Sequence, residues 1–211
     1  ITMLENIKVS IIVPCFNESV TIESIIKKIY LQKIFSFEVI VVDDYSSDGS
    51  REIIEKLEKN YPNFKKVFHS SNHGKGSAIK SGLKISTGDI ILIQDSDLEY
   101  DPNDYDNLIE PFIKYDADVV YGSRFIGGNG PKRLHFFWHQ IANKILTLMT
   151  NIFTNLNMTD METGYKLFKR KFIDPDNLKE MSFGIEPELT IKLAKQKIKF
   201  FEVPISYNGR G

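Results

Sequence analysis

The chain has 211 residues, of which 42% are hydrophobic and 26% are charged, and its formal net charge is -1. This composition is typical of a soluble globular protein long enough for one α/β domain, and the near-neutral charge gives no reason to expect a nucleic-acid partner. The single cysteine, Cys15, excludes an internal disulfide framework and fits a reducing compartment. No apolar run reaches the roughly 18 residues of a membrane span.

Strands and helices alternate through the first half of the chain. Apolar runs predict strands over 8–14, 37–42, 66–69 and 90–93. Helices are predicted after Ser19, over 50–60, and from the glycine loop at 72–77 to about residue 85. In the first of these helices, Ile22, Ile25, Ile26 and Ile29 recur at helical spacing, which predicts one buried face.

The second half adds a helix over 105–115, a strand over 118–121, helices over 134–156 and near 186–195, and a strand over 200–206. Strand–helix alternation with polar loops after the strands predicts a three-layer α/β/α fold with a mostly parallel central sheet and right-handed crossovers. We expect one domain over residues 1–211. Its last residues, Asn208-Gly209-Arg210-Gly211, read as the middle of a motif, so a truncated C-terminus is expected.

Three acids, Asp95, Asp97 and Glu99, follow the strand at 90–93. Ligands of open α/β sheets bind at the carboxyl ends of strands. Carboxylates at alternate positions can converge there on one hard divalent cation, which prefers oxygen ligands. Because Asp and Ser are also common in turns, a plain polar turn is the alternative interpretation.

Further charged residues follow the neighbouring strands. Glu18 comes after the first predicted strand, and Asp43 and Asp44 come after the second. The loops that can face the same sheet edge also carry basic residues: Lys75, Arg124, Arg133, Lys166 and Arg210. Acids, a divalent cation and basic side chains together are how proteins bind a diphosphate. Turn capping by the two aspartates and ordinary surface exposure of each basic residue are the alternatives.

The glycine loop at 72–77 matches neither of two common phosphate-binding motifs. Lys75 precedes the second glycine, whereas the P-loop requires lysine after it. Ile79 stands where the dinucleotide-binding fingerprint requires glycine. The sequence therefore argues against an NTPase and against a Rossmann dehydrogenase.

The predicted helix over 134–156 is apolar on more than one stripe, and Lys144 is its only charged residue. A helix that is apolar nearly all round usually belongs to a core or a subunit interface. It can also lie in a membrane interface, where Trp and Phe are favoured. The expected partners of this helix are therefore the membrane surface or, in a homo-oligomer, a second copy of the chain.

Seven segments, taken together and in this order, resemble family 2 glycosyltransferases with the GT-A fold. They are VSIIVPCFNE (9–18), VIVVDDYSSDG (39–49), NHGKGSA (72–78), GDIILIQDSDLEYDP (88–102), GSR (122–124), DMETGYKLF (160–168) and VPISYNGR (203–210). The last three are similar to the branch that contains dolichyl-phosphate mannosyltransferase and bacterial polyprenyl-phosphate glycosyltransferases. The Q-x-x-R-W motif of processive relatives is absent.

The resemblance implies roles for particular residues. It assigns to the nucleotide-sugar pocket Pro14, Phe16, Glu18, Val42, Asp43, Asp44, Lys75, Asp95, Ser96, Asp97, Arg124 and Arg210. Asp95, Ser96 and Asp97 would be the D-x-D motif that binds the diphosphate through Mg2+ or Mn2+, with Asp95, Asp97 and Glu99 as metal ligands. Asp97, Arg124 and Arg133 would be catalytic, with Arg133 on the acceptor phosphate.

The reaction implied is the inverting transfer of one hexose from a nucleotide-sugar of the GDP-mannose or UDP-glucose type to a polyprenyl phosphate, at the cytoplasmic face of a membrane. Transfer to a saccharide hydroxyl is the first alternative and would need a base, for which Asp160 and Glu162 are candidates. A non-catalytic nucleotide-sugar binding module is the second. A receiver or haloacid phosphatase is disfavoured because the first strand ends in Pro14 and Leu98-Glu99 breaks the phosphatase pattern.

Overall fold

A computed structural model describes residues 7–32, 36–127 and 137–209 of the chain. Its strands are β1 (Val9–Cys15), β2 (Phe37–Asp43), β3 (Phe64–Phe68), β4 (Ile90–Ile93), β5 (Val119–Ser123), β6 (Lys166–Lys169) and β7 (Phe200–Pro204). Its α-helices are α1 (Ile22–Leu31), α2 (Ser50–Asn60), α3 (Lys75–Ile85), α4 (Tyr105–Lys114), α5 (Phe137–Thr154) and α6 (Ile185–Ala194). Short 3-10 helices lie at Pro102–Asp104, Arg170–Phe172 and Pro175–Asn177.

The strands form one mixed sheet in the order β3-β2-β1-β4-β6-β5-β7. Strands β1 to β4 pair in parallel, as do β5 and β7, whereas β6 is antiparallel to both of its neighbours, β4 and β5. The predicted α/β fold with a mostly parallel sheet is therefore confirmed. The sequence analysis missed β6, the strand that joins the two parallel groups.

Helices cover both faces of the sheet, and the sheet separates the core into two layers. Along β1, Ile11 and Val13 pack in one hydrophobic cluster with α1, α2 and α4, while Ile12 packs in the opposite cluster with α3 and α6. This alternation follows from the period of two along a strand. The predicted stripe of α1 is confirmed, because all four of its isoleucines are fully buried. Because helices cover both faces, we expect ligands to bind at the ends of the strands.

Helix α5 has the reverse of the usual amphipathic arrangement. Its inward side consists of Asn143, Thr147 and Thr150, which are buried, and the helix contacts α6. Its apolar side chains face solvent, with Trp138 74% exposed and Phe153 77% exposed. None of the described residues of α5 belongs to a hydrophobic core cluster. Among the residues described, no helix is both long enough and apolar enough to cross a membrane.

Buried Glu38 ties together the amino ends of the central strands. Its carboxylate accepts hydrogen bonds from the Ser10 hydroxyl at 2.6 Å and from the Thr87 backbone N–H at 2.6 Å. The ammonium of Lys65 lies 2.8 Å away. Burial opposes the charge, but the hydrogen bonds from Lys65, Ser10 and Thr87 outweigh it and lower the pKa of Glu38 to about 2. This network connects the amino ends of the parallel strands, at the opposite end of the sheet from the acidic loops.

We predict that Glu38→Gln lowers the free energy of unfolding by about 1–3 kcal/mol at pH 7, because a buried charged acceptor loses its charge. A depressed pKa gives stability that is complete above the unfolded value of 4.5 and is lost as the pH falls towards about 2. Urea unfolding from pH 7 to pH 2.5 should therefore show a shallower pH dependence in the variant.

The control is Glu58→Gln, which removes a carboxylate paired with Lys66 on the surface. Exposed ion pairs contribute about 0–1 kcal/mol, so this variant should unfold like the wild type. Equal stability and equal pH slopes for Glu38→Gln and the wild type would contradict the prediction.

Candidate active site

A cleft of about 440 Å³ opens at the carboxyl ends of the parallel strands. Clefts of this size are typical of small-molecule sites. Eight residues that the sequence predicted for the pocket line it: Pro14, Phe16, Glu18, Asp44, Lys75, Asp95, Ser96 and Asp97. Six further lining residues were not predicted for the pocket: Cys15, Asn72, Gly74, Ala78, Ser182 and Phe183.

The loops around the cleft contain non-glycine residues with left-handed backbone. Asn17 after β1, Tyr45 after β2 and Leu98 after β4 have φ angles of 54°, 70° and 65°. Asn adopts this conformation readily, but for a bulky residue such as Leu98 it is uncommon and costs about 1–3 kcal/mol. Strained backbone at the strand ends is typical of a ligand site, where the surrounding structure fixes the loops in place.

The two adjacent aspartates after β2 have different surroundings. Asp43 is fully buried, accepts a hydrogen bond from the Ser46 backbone N–H and pairs with Arg51 at 2.6 Å, so it caps the turn. Asp44 accepts hydrogen bonds from the backbone N–H groups of His73 and Gly74. It thereby attaches the glycine loop to the end of β2. Of the predicted pocket residues, Asp43 and the buried Val42 lie behind the cleft lining.

The acidic turn after β4 is attached to the end of β1. The Ser96 hydroxyl donates to the Pro14 carbonyl at 3.0 Å. The Asp97 carboxylate accepts from the Glu99 backbone N–H at 3.0 Å, which fixes the turn. The Glu99 carboxylate accepts from the Tyr207 hydroxyl at 2.7 Å and lies outside the lining of the cleft. Asp95 and Asp97 are therefore the two acids of this turn that the cleft exposes to a ligand.

Lys75, the first residue of α3, lies in a cluster of four charges. Its ammonium is 2.7 Å from Asp95 and 3.0 Å from Glu186 of α6. Glu186 also pairs at 2.5 Å with Lys166 of β6, which is fully buried. Burial opposes the charge of Lys75, but the Asp95 and Glu186 carboxylates outweigh that effect and raise the pKa of Lys75 above its ordinary value. The lysine is thus a permanent cation in the wall of the cleft.

The loop of residues 178–184, which precedes α6, forms the outer wall of the cleft. The Met181 carbonyl accepts from the Ser77 backbone N–H at 2.9 Å, so the loop lies on the first turn of α3. A Cβ atom at Gly76 would come within 2.4 Å of the Glu180 carbonyl oxygen. The loop presents Phe183, which is 74% exposed and lines the cleft. In the sequence, Gly74 and Gly76 are the signal that could have indicated this close approach, because a Cβ atom at either would collide with the backbone of the loop.

Arg124, at the end of β5, is paired with Asp160. Its Nε and Nη2 atoms donate to the two carboxylate oxygens of Asp160, each at 2.7 Å. The guanidinium lies 5.2 Å from the ring centre of Tyr207, the residue that also binds Glu99. Arg124 is therefore connected to the acidic turn, although it is not part of the cleft lining. Arg133 and Arg210 lie outside the described residues.

Two carboxyl groups near Arg124 were candidate bases in the sequence. Asp160 is fully buried and already paired with the arginine, which argues against direct proton transfer with a substrate. Burial raises the pKa of Glu162 above its usual range, against the opposing charge of Lys166. Glu162 is therefore the better candidate of the two for acid–base chemistry.

The acids of the cleft fit a divalent cation that is bound together with a phosphate. In the described ranges, no three His, Cys, Asp or Glu side chains gather into a metal-binding cluster. Mg2+ usually binds through one or two carboxylates plus substrate phosphates and retains several water molecules. Asp95 and Asp97 satisfy that requirement, since both line the cleft. The assignment of Glu99 as a third ligand stays a prediction.

Comparisons with known proteins agree on the family. The model of the family described as glycosyl transferase family 2 matches residues 10–175. Dolichol-phosphate mannosyltransferase of Pyrococcus furiosus is 29% identical over 206 residues, covering 96% of this chain and 57% of that protein. Dolichyl-phosphate beta-glucosyltransferase ALG5D of Trichomonas vaginalis is 27% identical over 214 residues, covering 95% of this chain and 65% of that protein. The chain thus spans less than two thirds of either relative.

Solved structures show the same fold. Glucosyl-3-phosphoglycerate synthase of Mycobacterium tuberculosis, in complex with Mn2+, UDP and phosphoglyceric acid, has a TM-score of 0.71 at 20% identity, covering 98% of this chain and 72% of that one. The mannosyltransferase PcManGT of Pyrobaculum calidifontis, in complex with GDP-Man and Mn2+, has a TM-score of 0.67 at 23% identity, covering 93% and 54%. At these identities the likeness establishes the GT-A-like fold.

We predict that Gly76→Ala lowers the free energy of unfolding by about 1–3 kcal/mol, because the added methyl group forces the Glu180 backbone away from α3. Displacement of this loop should also speed trypsin cleavage after Lys179. Chemical unfolding and timed proteolysis measure both effects. Gly127→Ala is the control, since a Cβ there meets no atom of the described residues within 4 Å. Unchanged stability and cleavage in Gly76→Ala would contradict the prediction.

Proposed function

The chain belongs to glycosyl transferase family 2 and is a glycosyltransferase, and on that premise we propose that it transfers one hexose from a nucleotide-sugar to a polyprenyl phosphate. The proposal treats the sheet and its helices as one catalytic domain. The observation that carries it is the cleft at the strand ends, where Asp95 and Asp97 lie beside the permanent cation Lys75. Acids that can share a divalent cation with a diphosphate, together with a lysine, suit the leaving group of a nucleotide-sugar.

The donor site follows from the lining of the cleft. Asp95 and Asp97 would hold Mg2+ or Mn2+, which supplies Lewis-acid stabilisation of the departing diphosphate when bound. Lys75 adds a fixed positive charge, and such preorganised charge contributes most where charge develops in the transition state. Phe16 and Phe183 are exposed aromatic rings in the lining, suited to contact a base or a sugar ring.

The proposed acceptor combines an anionic group with a lipid. Arg124 is a planar cation of the kind that binds phosphate in a fixed geometry. Through Asp160 and Asn143 it is connected to α5, whose exposed apolar face carries Trp138 and Phe153. An arginine next to an apolar helix suits a phosphate attached to a hydrocarbon chain. We further propose that this face of α5 lies on the surface of the membrane that supplies the lipid, on its cytoplasmic side.

The proposed reaction is a single displacement. A phosphate oxygen of the acceptor is already ionised at neutral pH, so it attacks the anomeric carbon without a protein base while the bond to the diphosphate breaks. One displacement inverts the anomeric centre. Burial and the neighbouring Asp43 charge raise the pKa of the Cys15 thiol in the lining to about 12. Cys15 is therefore protonated and is not suited to be the nucleophile of a double displacement.

A saccharide hydroxyl is the second candidate acceptor, and the raised pKa of Glu162 is the observation that favours it. A hydroxyl nucleophile requires a base whose pKa lies near the working pH. Comparison of a polyprenyl phosphate with free sugars as acceptors separates the two candidates. Donor hydrolysis without any acceptor separates an enzyme from a silent binding module.

We predict that purified protein with Mn2+ transfers hexose from GDP-mannose or UDP-glucose to a short-chain polyprenyl phosphate, and that NMR of the product shows inverted anomeric configuration. Asp97→Asn should reduce turnover by about 100-fold or more, because the diphosphate loses a charged contact in the transition state. Mass spectrometry of the lipid product gives the rate. EDTA should abolish the reaction of the wild type.

Asp106→Asn, an exposed aspartate on α4, is the matched control and should retain full activity. Full activity of Asp97→Asn would exclude the proposed donor site. A product with retained anomeric configuration would exclude the single displacement, and transfer to free sugars alone would exclude the lipid acceptor.

We also predict that the protein floats with vesicles of phosphatidylcholine and phosphatidylglycerol. Ile152→Glu should at least halve the bound fraction, because it places a charge on the exposed apolar face of α5. Leu31→Glu is the control, because Leu31 is similarly exposed at the end of α1. Protein that stays in the dense fraction would contradict membrane contact. A dimer by light scattering that Ile152→Glu dissociates would assign the face to a second copy of the chain.

A further inference from the structure

The inward side of α5 is polar, and one of its residues, Asn143, binds Asp160, the partner of Arg124. The Asn143 side-chain amide donates to the Asp160 carboxylate at 3.0 Å, and the Asn143 carbonyl accepts from the Thr147 hydroxyl at 3.0 Å. Thr147 in turn accepts from the Met161 backbone N–H at 3.1 Å. Both side chains are buried, with Asn143 8% exposed and Thr147 4% exposed. Buried polar groups on a helix need such partners, and here the partners surround Asp160.

Asp160 is held from a second direction by β7. The Glu202 carboxylate accepts from the backbone N–H groups of Thr159 at 2.9 Å and Asp160 at 3.2 Å. Asp160 therefore has its main chain attached to β7 and its side chain attached to α5. Its two carboxylate oxygens accept the bidentate pair from the Arg124 side chain, and Oδ2 also accepts from the Arg124 backbone N–H at 3.1 Å.

We propose that Asn143 is a positioning residue for Arg124: it orients the Asp160 carboxylate, which fixes the guanidinium where the acceptor phosphate binds. The proposal rests on the proposed function for the identity of the acceptor. Asn143 itself touches no substrate. Without its amide, the Asp160 carboxylate is held by Arg124 alone among the described residues, and the guanidinium loses the fixed orientation that phosphate recognition requires.

The test uses two matched asparagines on the same helix. Asn151 also bonds through its side chain, to the backbone N–H and carbonyl of Met158, and it makes no hydrogen bond to Asp160. Asn143→Leu and Asn151→Leu each remove side-chain hydrogen bonds of the same kind from α5. A purely structural role therefore predicts similar effects of the two variants, whereas a positioning role predicts that they differ.

We expect Asn143→Leu to raise the KM for a short-chain polyprenyl phosphate by about 10- to 100-fold, the cost of a slightly misplaced binding group, with the KM for the nucleotide-sugar within about twofold of wild type. Asn151→Leu should change neither constant. Thr147→Val, which removes the hydroxyl that orients Asn143, is a milder second variant and should shift the acceptor KM in the same direction. Equal acceptor constants for wild type, Asn143→Leu and Thr147→Val would overturn the proposal.

A measurement without substrate separates this proposal from the proposed function. In protein labelled with ¹⁵N-arginine, the Arg124 Nε–H signal, assigned with Arg124→Lys, should move or broaden in Asn143→Leu and Thr147→Val but not in Asn151→Leu. An unmoved signal in both variants overturns the positioning role. If the wild type fails to use a polyprenyl phosphate, the proposed acceptor falls, and this signal alone decides the role of Asn143.

Discussion

The ion pairs of Lys75 connect the parts of the structure that form the cleft. Its ammonium joins Asp95 at the end of β4 to Glu186 on α6, and Glu186 in turn pairs with Lys166 on β6. Four buried or nearly buried charges cancel in pairs, which is the condition under which charges persist away from water. Removal of Glu186 would leave the fully buried Lys166 without its counter-ion, at a cost of about 3–5 kcal/mol. The cluster also fixes the position of Asp95 in the wall of the cleft, beside the neighbouring acid Asp97.

The cleft and the Arg124 region belong to different parts of the sheet. Loops after β1, β2 and β4 line the cleft, whereas Arg124 follows β5 and its partner Asp160 precedes β6. Tyr207 connects the two regions, because its hydroxyl binds Glu99 and its ring lies against Arg124. A transferase needs one site for the donor and one for the acceptor, held at a fixed separation. The antiparallel strand β6 and the contacts of Tyr207 would provide that separation between the proposed donor cleft and the proposed acceptor region at Arg124.

The elements that sequence patterns predict well are those whose burial follows from hydrophobicity. The apolar runs of β1, β2 and β4 and the isoleucine stripe of α1 lie where the patterns indicate. Strand β6 begins with Lys166, whose buried charge pairs with Glu186, a contact between residues far apart in the chain. The inward side of α5 is likewise set by Asn143 and its partner Asp160. Such pairings depend on tertiary contacts that neither periodicity nor hydrophobicity records.

The same limit applies to the site. The acids at the strand ends are visible in the sequence because strands of a parallel sheet end at one edge. Phe183 reaches the cleft through the approach of its loop to Gly76, which no local pattern specifies. Asp43 and Asp44 are adjacent and both buried, but Asp43 caps a turn whereas Asp44 binds the glycine loop and lines the cleft.

The position of β6 in the sheet also constrains the order of folding during synthesis. Strands β1 to β4 are made first and can pair with one another, but β5 has no hydrogen-bonding neighbour in the native sheet until β6 or β7 has been made. Throughout the synthesis of α5, one edge of β4 is therefore unpaired and the apolar helix is newly exposed. Unpaired edges and exposed apolar surface are the features that make nascent chains aggregate. Strand β6 ends that exposure, because it pairs with β4 on one side and with β5 on the other.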